Sequence, residues 1–316
     1  MNLLSSPCPI CDAGLSNSSL IARENFIEKE LGIRICLNCD FLFTWPRAID
    51  PQRTYNQAEK ISWEKKYGAI AKGEVEHDRH KNFLEEMTVV NNYVPEGKIL
   101  DIGCNAGWFL EHLLRHPNYQ PEGLESSPVL AEICRRRLNI PVYQNFSQLS
   151  NRKDSFSGIT VIDVIEHVNP EDINSFIDNI SKIIKPGGYL FIKTPNGKFT
   201  RIKGWLAGLL TPKLRRALLG VEDVWDAKEH VIHWSTDTLS RILFRYNFKT
   251  VKTFVPLPVQ TRGSPITAIA ARKFIYLTAY LLNGRRRVPA FAQDIFLIAQ
   301  KNINKEAISI NGKRGM

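Results

Sequence analysis

A chain of 316 residues with 43% hydrophobic and 23% charged residues has the length and composition of one large folded domain with a small appendage. The N-terminus has no basic start followed by a long apolar run, and nowhere do about 18 apolar residues follow one another, so neither a secretory leader nor a membrane span is expected and the cytoplasm is the expected compartment. The formal charge is +10, yet between Gly197 and Pro289 there are 7 Lys and 10 Arg against 2 Glu and 3 Asp, which leaves the rest of the chain slightly acidic. A basic bias confined to one region points to a local anionic partner: a phosphate-bearing substrate, a membrane surface or nucleic acid.

The first chemistry in chain order is a pair of CxxC motifs, Cys8-Pro-Ile-Cys11 and Cys36-Leu-Asn-Cys39, separated by 24 residues. In a cytoplasmic chain two such pairs read as a tetrahedral zinc site before they read as disulfides. Four thiolates fill the tetrahedron, so Cys8, Cys11, Cys36 and Cys39 are expected to hold a structural zinc with no position left for substrate. Ser19–Arg23 and Ile33–Cys36 read as the strands of a zinc ribbon spanning 1–45. Cys104 and Cys134 sit in apolar surroundings and read as inert buried thiols. Residues 46–95 follow as a linker or lid with scattered aromatics (Tyr55, Trp63, Tyr67), including a helix over Glu74–Val94 on Phe83, Leu84, Met87, Val90 and Val94.

The central stretch is Ile99-Leu-Asp101-Ile-Gly103-Cys-Asn105-Ala-Gly107-Trp108. It reads as a strand, a tight turn and a helix through Phe109, Leu110, Leu113 and Leu114. Such a turn aims free N–H groups at a ligand, and glycine removes the Cβ that would hold the ligand off. Glu125 comes 22 residues after Gly103, at the end of the strand-like run Tyr119–Leu124, where a carboxylate can accept hydrogen bonds from a ribose's two hydroxyls.

Asp101, Gly103 and Gly107 resemble the first motif of class I S-adenosylmethionine (AdoMet)-dependent methyltransferases, with Asn105 where that family usually has its middle glycine. Asn tolerates positive φ best among the other residues, so the turn can still form. The resemblance runs well over Lys98–Asn196 and more loosely over Ser235–Asn302. It implies a Rossmann-like α/β fold with a seven-stranded, mostly parallel sheet in the order 3-2-1-4-5-7-6, the last strand antiparallel, within 96–302. It also implies AdoMet held by Asp101, Gly103, Asn105, Gly107, Trp108, Glu125, Ser126, Asn145 and Asp163. A subset of the family carries an N-terminal four-cysteine segment followed by an aromatic–proline stretch like Phe41–Pro46, and several of that subset act on sugars or small metabolites.

The remaining elements follow in order. Ser127-Pro128 caps a helix on Leu130, Ile133, Cys134 and Leu138, and a third strand covers Pro141–Gln144 before Asn145-Phe146. Gly158–Ile165 is nearly all apolar, as in a central parallel strand, and leads into Asp163-Val-Ile-Glu166-His167. A helix on Ile173, Phe176, Ile177, Ile180, Ile183 and Ile184 is expected to stop at a Lys185-Pro-Gly-Gly188 turn before the strand Tyr189–Thr194. Basic amphipathic insertions are expected at 197–234, with a helix restarting at Thr211-Pro212, and at 256–293, where an apolar helix covers Ile266–Leu282. Between them Ser235 caps a helix ahead of the sixth strand, Lys249–Val255; the last strand is Asp294–Ala299, and 303–316 is a polar, flexible tail.

The expected activity is transfer of the AdoMet methyl group to a small-molecule, sugar or lipid-linked acceptor, an anionic one among the options, with O-methylation favoured over C- or N-. Peripheral contact with an anionic membrane is a further expectation from the basic insertions. A hydroxyl acceptor needs a base, and His233, His230 and His167, in that order, are the candidates, the first two placed at i, i+3 on a helical turn. An RNA or DNA methyltransferase is disfavoured because Asp163-Val-Ile-Glu stands where an Asn/Asp-Pro-Pro-Tyr motif would be expected. A non-catalytic interaction module is the other alternative, against which the intact Asp101, Gly103, Gly107 and Glu125 set counts. A dinucleotide oxidoreductase lacks its full GxGxxG.

Overall fold

The structure, a computed structural model, describes residues 8–26, 29–45, 77–209, 225, 230–258, 266–282 and 289–303. Most of the expected lid, the Thr211-Pro212 helix and nearly all of the tail lie outside the described residues.

Two sheets organise these residues. The smaller contains β1 (Ser18–Phe26), β2 (Lys29–Cys36), β3 (Leu42–Trp45) and β9 (Ile232–His233), in that order and all antiparallel. The larger contains β4 (Gly97–Ile102), β5 (Tyr119–Leu124), β6 (Val142–Tyr143), β7 (Phe156–Ile162), β8 (Ile184–Pro195), β10 (Phe248–Phe254) and β11 (Asp294–Lys301). Its order is β10-β11-β8-β7-β4-β5-β6, with β11 antiparallel to both neighbours and the β7–β4–β5–β6 pairs parallel. This is the expected seven-stranded order read from the other edge.

Successive residues of the central strands bury to opposite faces, which is why these strands read as unbroken apolar runs. Leu100, Val161 and Ile192 face one core with α4 (Ile173–Ile183) and α6 (Thr236–Arg245); Ile99, Phe191 and Phe296 face the other with α1 (His80–Tyr93), α2 (Trp108–Leu114) and α3 (Pro128–Leu138). Cys8, Cys36, Cys39 and Phe41 of the N-terminal segment belong to the first of these cores. Ser127 caps α3 as expected, accepting from Leu130 N, and Ser235 and Thr238 form a capping box on α6.

Three expectations shift. The first helix begins at His80, preceded by a turn at His77–Arg79 rather than by helix from Glu74. The apolar run Gly158–Ile165 leaves the sheet after Ile162, because Asp163 turns the chain with φ +53°. Lys185-Pro-Gly-Gly188 is not a free turn: the helix stops at Ile183 and β8 begins at once, bulged against β7, with Gly187 at φ +78° taking the irregularity.

Two helices carry exposed apolar side chains: Trp205 is 68% exposed on α5 (Gly197–Gly208) and Phe274 is 71% exposed on α7 (Ile266–Leu281). No helix among the described residues is long and apolar enough to cross a membrane.

Candidate active site

At the carboxyl end of β4 the chain turns through Gly103, Asn105 and Gly107, with φ of +74°, +51° and +86°. Asn105 therefore adopts the left-handed conformation expected of it, and its Oδ1 accepts from Ala106 N at 2.7 Å. The glycines answer a packing demand as well as a conformational one. A Cβ on Gly103 would collide with Val164, and one on Gly107 would meet Leu138 at 2.6 Å and Cys134 at 2.7 Å. The space freed by each missing Cβ is thus filled by protein, where the sequence suggested that a ligand would occupy it.

Glu125 closes this turn from the neighbouring strand. Its Oε2 accepts from Asn105 N and its Oε1 from Ser127 N, both at 2.9 Å, so one carboxylate ties the turns after β4 and β5 together. Burial pushes its pKa up, against the two backbone donors that lower it. Asp101 lies beneath, buried, with Thr160 Oγ1 donating to it at 2.7 Å; burial pushes its carboxyl up to about 7. Trp108 sits under the Arg137 guanidinium at 3.9 Å, while Ser126 is exposed next to Glu125. Asn145, exposed beyond β6, accepts from Ser147 Oγ, and Phe146 meets Phe176 edge-on at 5.6 Å.

On the other side of the β4 turn stands a group of charges of which the sequence flagged only Asp163. Asp163, just past β7, pairs with Arg79 Nη1 at 2.8 Å and Lys193 Nζ at 3.4 Å. Glu86, on α1, pairs with the same two cations at 3.2 and 3.6 Å. Lys193 and Glu86 are each only 1% exposed. Burial works against the Asp163 charge, but Lys193 and Arg79 outweigh it and hold its carboxyl below the ordinary range. Burial dominates at Glu86 and raises it to about 7. Glu86 Oε2 and Arg79 Nε are buried without a hydrogen-bond partner among the described residues. A lysine inside the apolar run Tyr189–Thr194 was the available clue, since charges are almost never fully buried unless paired.

The candidate bases separate into two places. The His167 and His230 rings lie side by side, tilted by 52° with centroids 5.0 Å apart, and polar atoms of Glu166, His167 and His230 lie within 4.8 Å of one another. Glu166 is buried, accepts from Thr194 Oγ1 at 3.0 Å, and is raised to about 8 by burial and then by Asp163. His233 stands apart. It lies in strand β9 rather than on a helical turn with His230, packs edge-on against Trp225 at 5.6 Å, and is pushed down to about 3 by burial, His230 and Lys203. A neutral imidazole with so low a pKa is a weak base. Trp234, next to His233, is fully buried, donating Nε1–H to Ile165 O at 3.1 Å and meeting Phe41 edge-on.

The four N-terminal cysteines converge. Cys8 and Cys39 Sγ are 3.5 Å apart, Cys11 and Cys36 Sγ 3.6 Å, and all four sulfurs lie within 4.8 Å of one another. Thiolates at 2.3 Å from a tetrahedral metal stand about 3.8 Å apart, so the donor set fits zinc.

The comparisons with known proteins agree with this geometry. A family model described as a methyltransferase domain matches residues 74–253, more than half of the chain. Among curated proteins, the mitochondrial ubiquinone biosynthesis O-methyltransferase of Dictyostelium discoideum is 32% identical over 142 residues, which is 39% of this chain and 43% of that protein. The ubiquinone biosynthesis O-methyltransferase of Coxiella burnetii is 33% identical over 127 residues, 38% of this chain and 51% of that protein. The chain thus spans about half, or less, of the length of these relatives. Among solved structures, a SAM-dependent methyltransferase from Archaeoglobus fulgidus aligns with a TM-score of 0.44 at 18% identity, over 69% of this chain and 94% of that one. With a seven-stranded sheet in the expected order and a family model spanning the glycine turn, Glu125 and the histidine pair, the chain belongs to the AdoMet-dependent methyltransferase domain family.

Proposed function

We propose that this protein methylates a hydroxyl group on a small molecule. The observation that carries the reading is the joint placement, past the carboxyl ends of β4, β5 and β7, of a Glu125-clamped glycine turn and a histidine pair. The names of the ubiquinone-biosynthesis relatives support an O-acceptor. AdoMet, when bound, supplies a methyl group already activated on a sulfonium. The chain's own work is then alignment, exclusion of water and removal of the acceptor's proton. Asp101, Gly103, Asn105, Gly107, Trp108, Glu125, Ser126 and Asn145 are the residues that hold the cofactor, with Asp163 contributing through its pairs with Arg79 and Lys193. His230 and His167 replace His233 as the proton acceptors.

Glu125 tests the cofactor assignment. Losing a charge-assisted hydrogen bond costs about 1.5–3 kcal/mol, so Glu125→Ala is expected to weaken AdoMet binding roughly 10- to 150-fold by calorimetry. Unchanged affinity in a folded variant refutes it.

The reading keeps 1–45 as a zinc module, 46–95 as a linker and 96–302 as the catalytic domain. Cys8, Cys11, Cys36 and Cys39 hold one structural zinc. Metal analysis of reduced protein, purified without chelator, is expected to return one equivalent; less than half an equivalent rejects the site.

The exposed apolar residues of α5 and α7, flanked by exposed Lys198, Arg201 and Lys273, support a lipid-linked acceptor met at an anionic cytoplasmic membrane face. The protein is then expected to float with anionic vesicles at low salt and to be released as salt rises. No flotation at low salt removes the membrane part of the reading.

A further inference from the structure

The small sheet is completed by a strand from far along the chain. Strand β3 starts three residues after Cys39, and its partner β9 is the segment that carries His230 into the site: Leu42 pairs with His233 and Phe43 with Ile232. Thr44, fully buried, is the hinge of this contact. Its N–H donates to Val231 O at 2.9 Å and its Oγ1 donates to His230 O at 3.2 Å. The same short segment is held from its far side by the loop bearing His167. Val231 N and Ile232 N both donate to Glu166 O, at 3.0 and 3.1 Å, and the Trp234 indole donates to Ile165 O.

Behind β3 the cysteine knuckle is continuous with it. Cys36 N donates to Phe41 O at 2.8 Å, and Phe41 stacks edge-on against Trp234 at 5.4 Å. The other knuckle is pinned to α6, where Arg245 donates to Pro9 O at 3.0 Å and pairs with Asp12 at 2.9 Å. Among the described residues, the His230–Val231 backbone is thus tied to the cysteine module by the β3–β9 pairing and by both hydrogen bonds of Thr44, with Phe41 against Trp234 beside them. By contrast, the Glu125-clamped turn hangs from β4 and β5, which pair with each other and, on their outer sides, with β7 and β6, and share no hydrogen bond with the small sheet among the described residues.

We infer that the four-cysteine module sets the position of the acceptor-side histidine pair, with Thr44 as the positioning residue through which it acts. The inference rests on the proposed role of His167 and His230, and on the cysteines holding zinc. It gives the module a task beyond stability: His230 has no regular secondary structure of its own, and the module supplies the strand that fixes its backbone.

The experiment uses the full-length, zinc-loaded protein with carbon-13 in its histidine rings. The His230 signal is identified by its loss in His230→Gln. Thr44→Val removes the hydroxyl donor, keeps the shape and keeps the backbone bond; Thr44→Ser keeps the hydroxyl. In Thr44→Val the His230 and His167 ring signals are expected to shift or broaden, and kcat to fall roughly 2- to 10-fold, the scale of one neutral hydrogen bond, with KM for AdoMet unchanged. Thr44→Ser restores both. Stripping the metal with a strong zinc chelator is expected to broaden the same ring signals while AdoMet affinity, by calorimetry, stays within twofold.

Ring signals unmoved by both Thr44→Val and metal removal overturn the inference. So does a loss of AdoMet affinity in step with metal removal, which makes the module a general stabiliser. Ring signals that move while turnover stays at the parent level support the positioning role and reject the histidines as the base, so the two readings fail separately. The Thr44→Val arm does not depend on which metal the cysteines hold.

Discussion

Turnover of His230→Ala at saturating AdoMet is expected to fall by ~10²- to 10⁴-fold, the usual contribution of a positioned base, with AdoMet affinity unchanged. The expectation follows from the side-by-side rings of His167 and His230, 5.0 Å apart past the ends of the strands. His167→Ala is expected to do comparable damage, and the double variant little more than either alone, because two groups that work as a unit lose their effect together. His233→Ala provides the contrast. That imidazole is held neutral down to about pH 3, so it contributes no limb to the pH–rate profile near neutrality. Its removal is expected to act through packing against Trp225, lowering stability rather than changing the shape of the profile. A His230→Ala enzyme that turns over within a few-fold of the parent, with the true acceptor, rejects the assignment. So does a His233→Ala enzyme whose pH profile loses a neutral limb.

The second large effect concerns stability. Lys193→Met is expected to cost about 3–5 kcal/mol, because it strands the buried Glu86 beside the partly buried Asp163 with Arg79 as their remaining close cation. In a unit of this size that corresponds to a fall in Tm of roughly 6–20 °C. The pH dependence has a definite sign. Glu86 already has a raised pKa, so the folded carboxyl keeps a proton that the unfolded one gives up, and its contribution is lost as pH rises toward about 7. Removing Lys193 raises it further, so the deficit is expected to be larger at pH 8 than at pH 6. Lys193→Met combined with Glu86→Leu is expected to recover a large part of the loss, since replacing a buried ion pair by apolar groups of similar volume is often neutral. Denaturant unfolding of the three proteins at both pH values measures this. A loss below 1 kcal/mol in Lys193→Met, equal at pH 6 and 8, means the four charges are not energetically linked.

What was legible in the sequence was local. The left-handed turn at Gly103–Gly107, the strand that delivers Glu125, the cap at Ser127 and the cysteine knuckles each depend on residues within one or two turns of chain. Composition and spacing encode such features directly. What was not legible depended on partners far apart. Nothing in Ile232-His233 marks a strand, because two residues carry no period; only β3 makes them one. A histidine at i and another at i+3 suggested a helix for the same reason. The Arg79, Glu86, Asp163 and Lys193 group draws its members from the turn before α1, from α1 itself, from the end of β7 and from β8, and although Asp163 and the lysine in an apolar run each stand out, nothing local joins them to Arg79 and Glu86. At Gly103 the missing Cβ was read as room for a ligand, but Val164, 61 residues downstream, reaches over it and fills that room.

The closure of the small sheet by β9 has a consequence for how the chain is made. Thr44 and His230 are 186 residues apart. At about 5–20 residues per second of synthesis, β3 leaves the ribosome about 10–40 s before the strand that completes its sheet exists. Through that interval Leu42 and Phe43 present a bare apolar edge, the kind of template on which nascent chains pair wrongly. The cysteine knuckles are complete by residue 39, so β1–β3 and the four converging sulfurs are available to fold at the start of synthesis, with that edge left waiting.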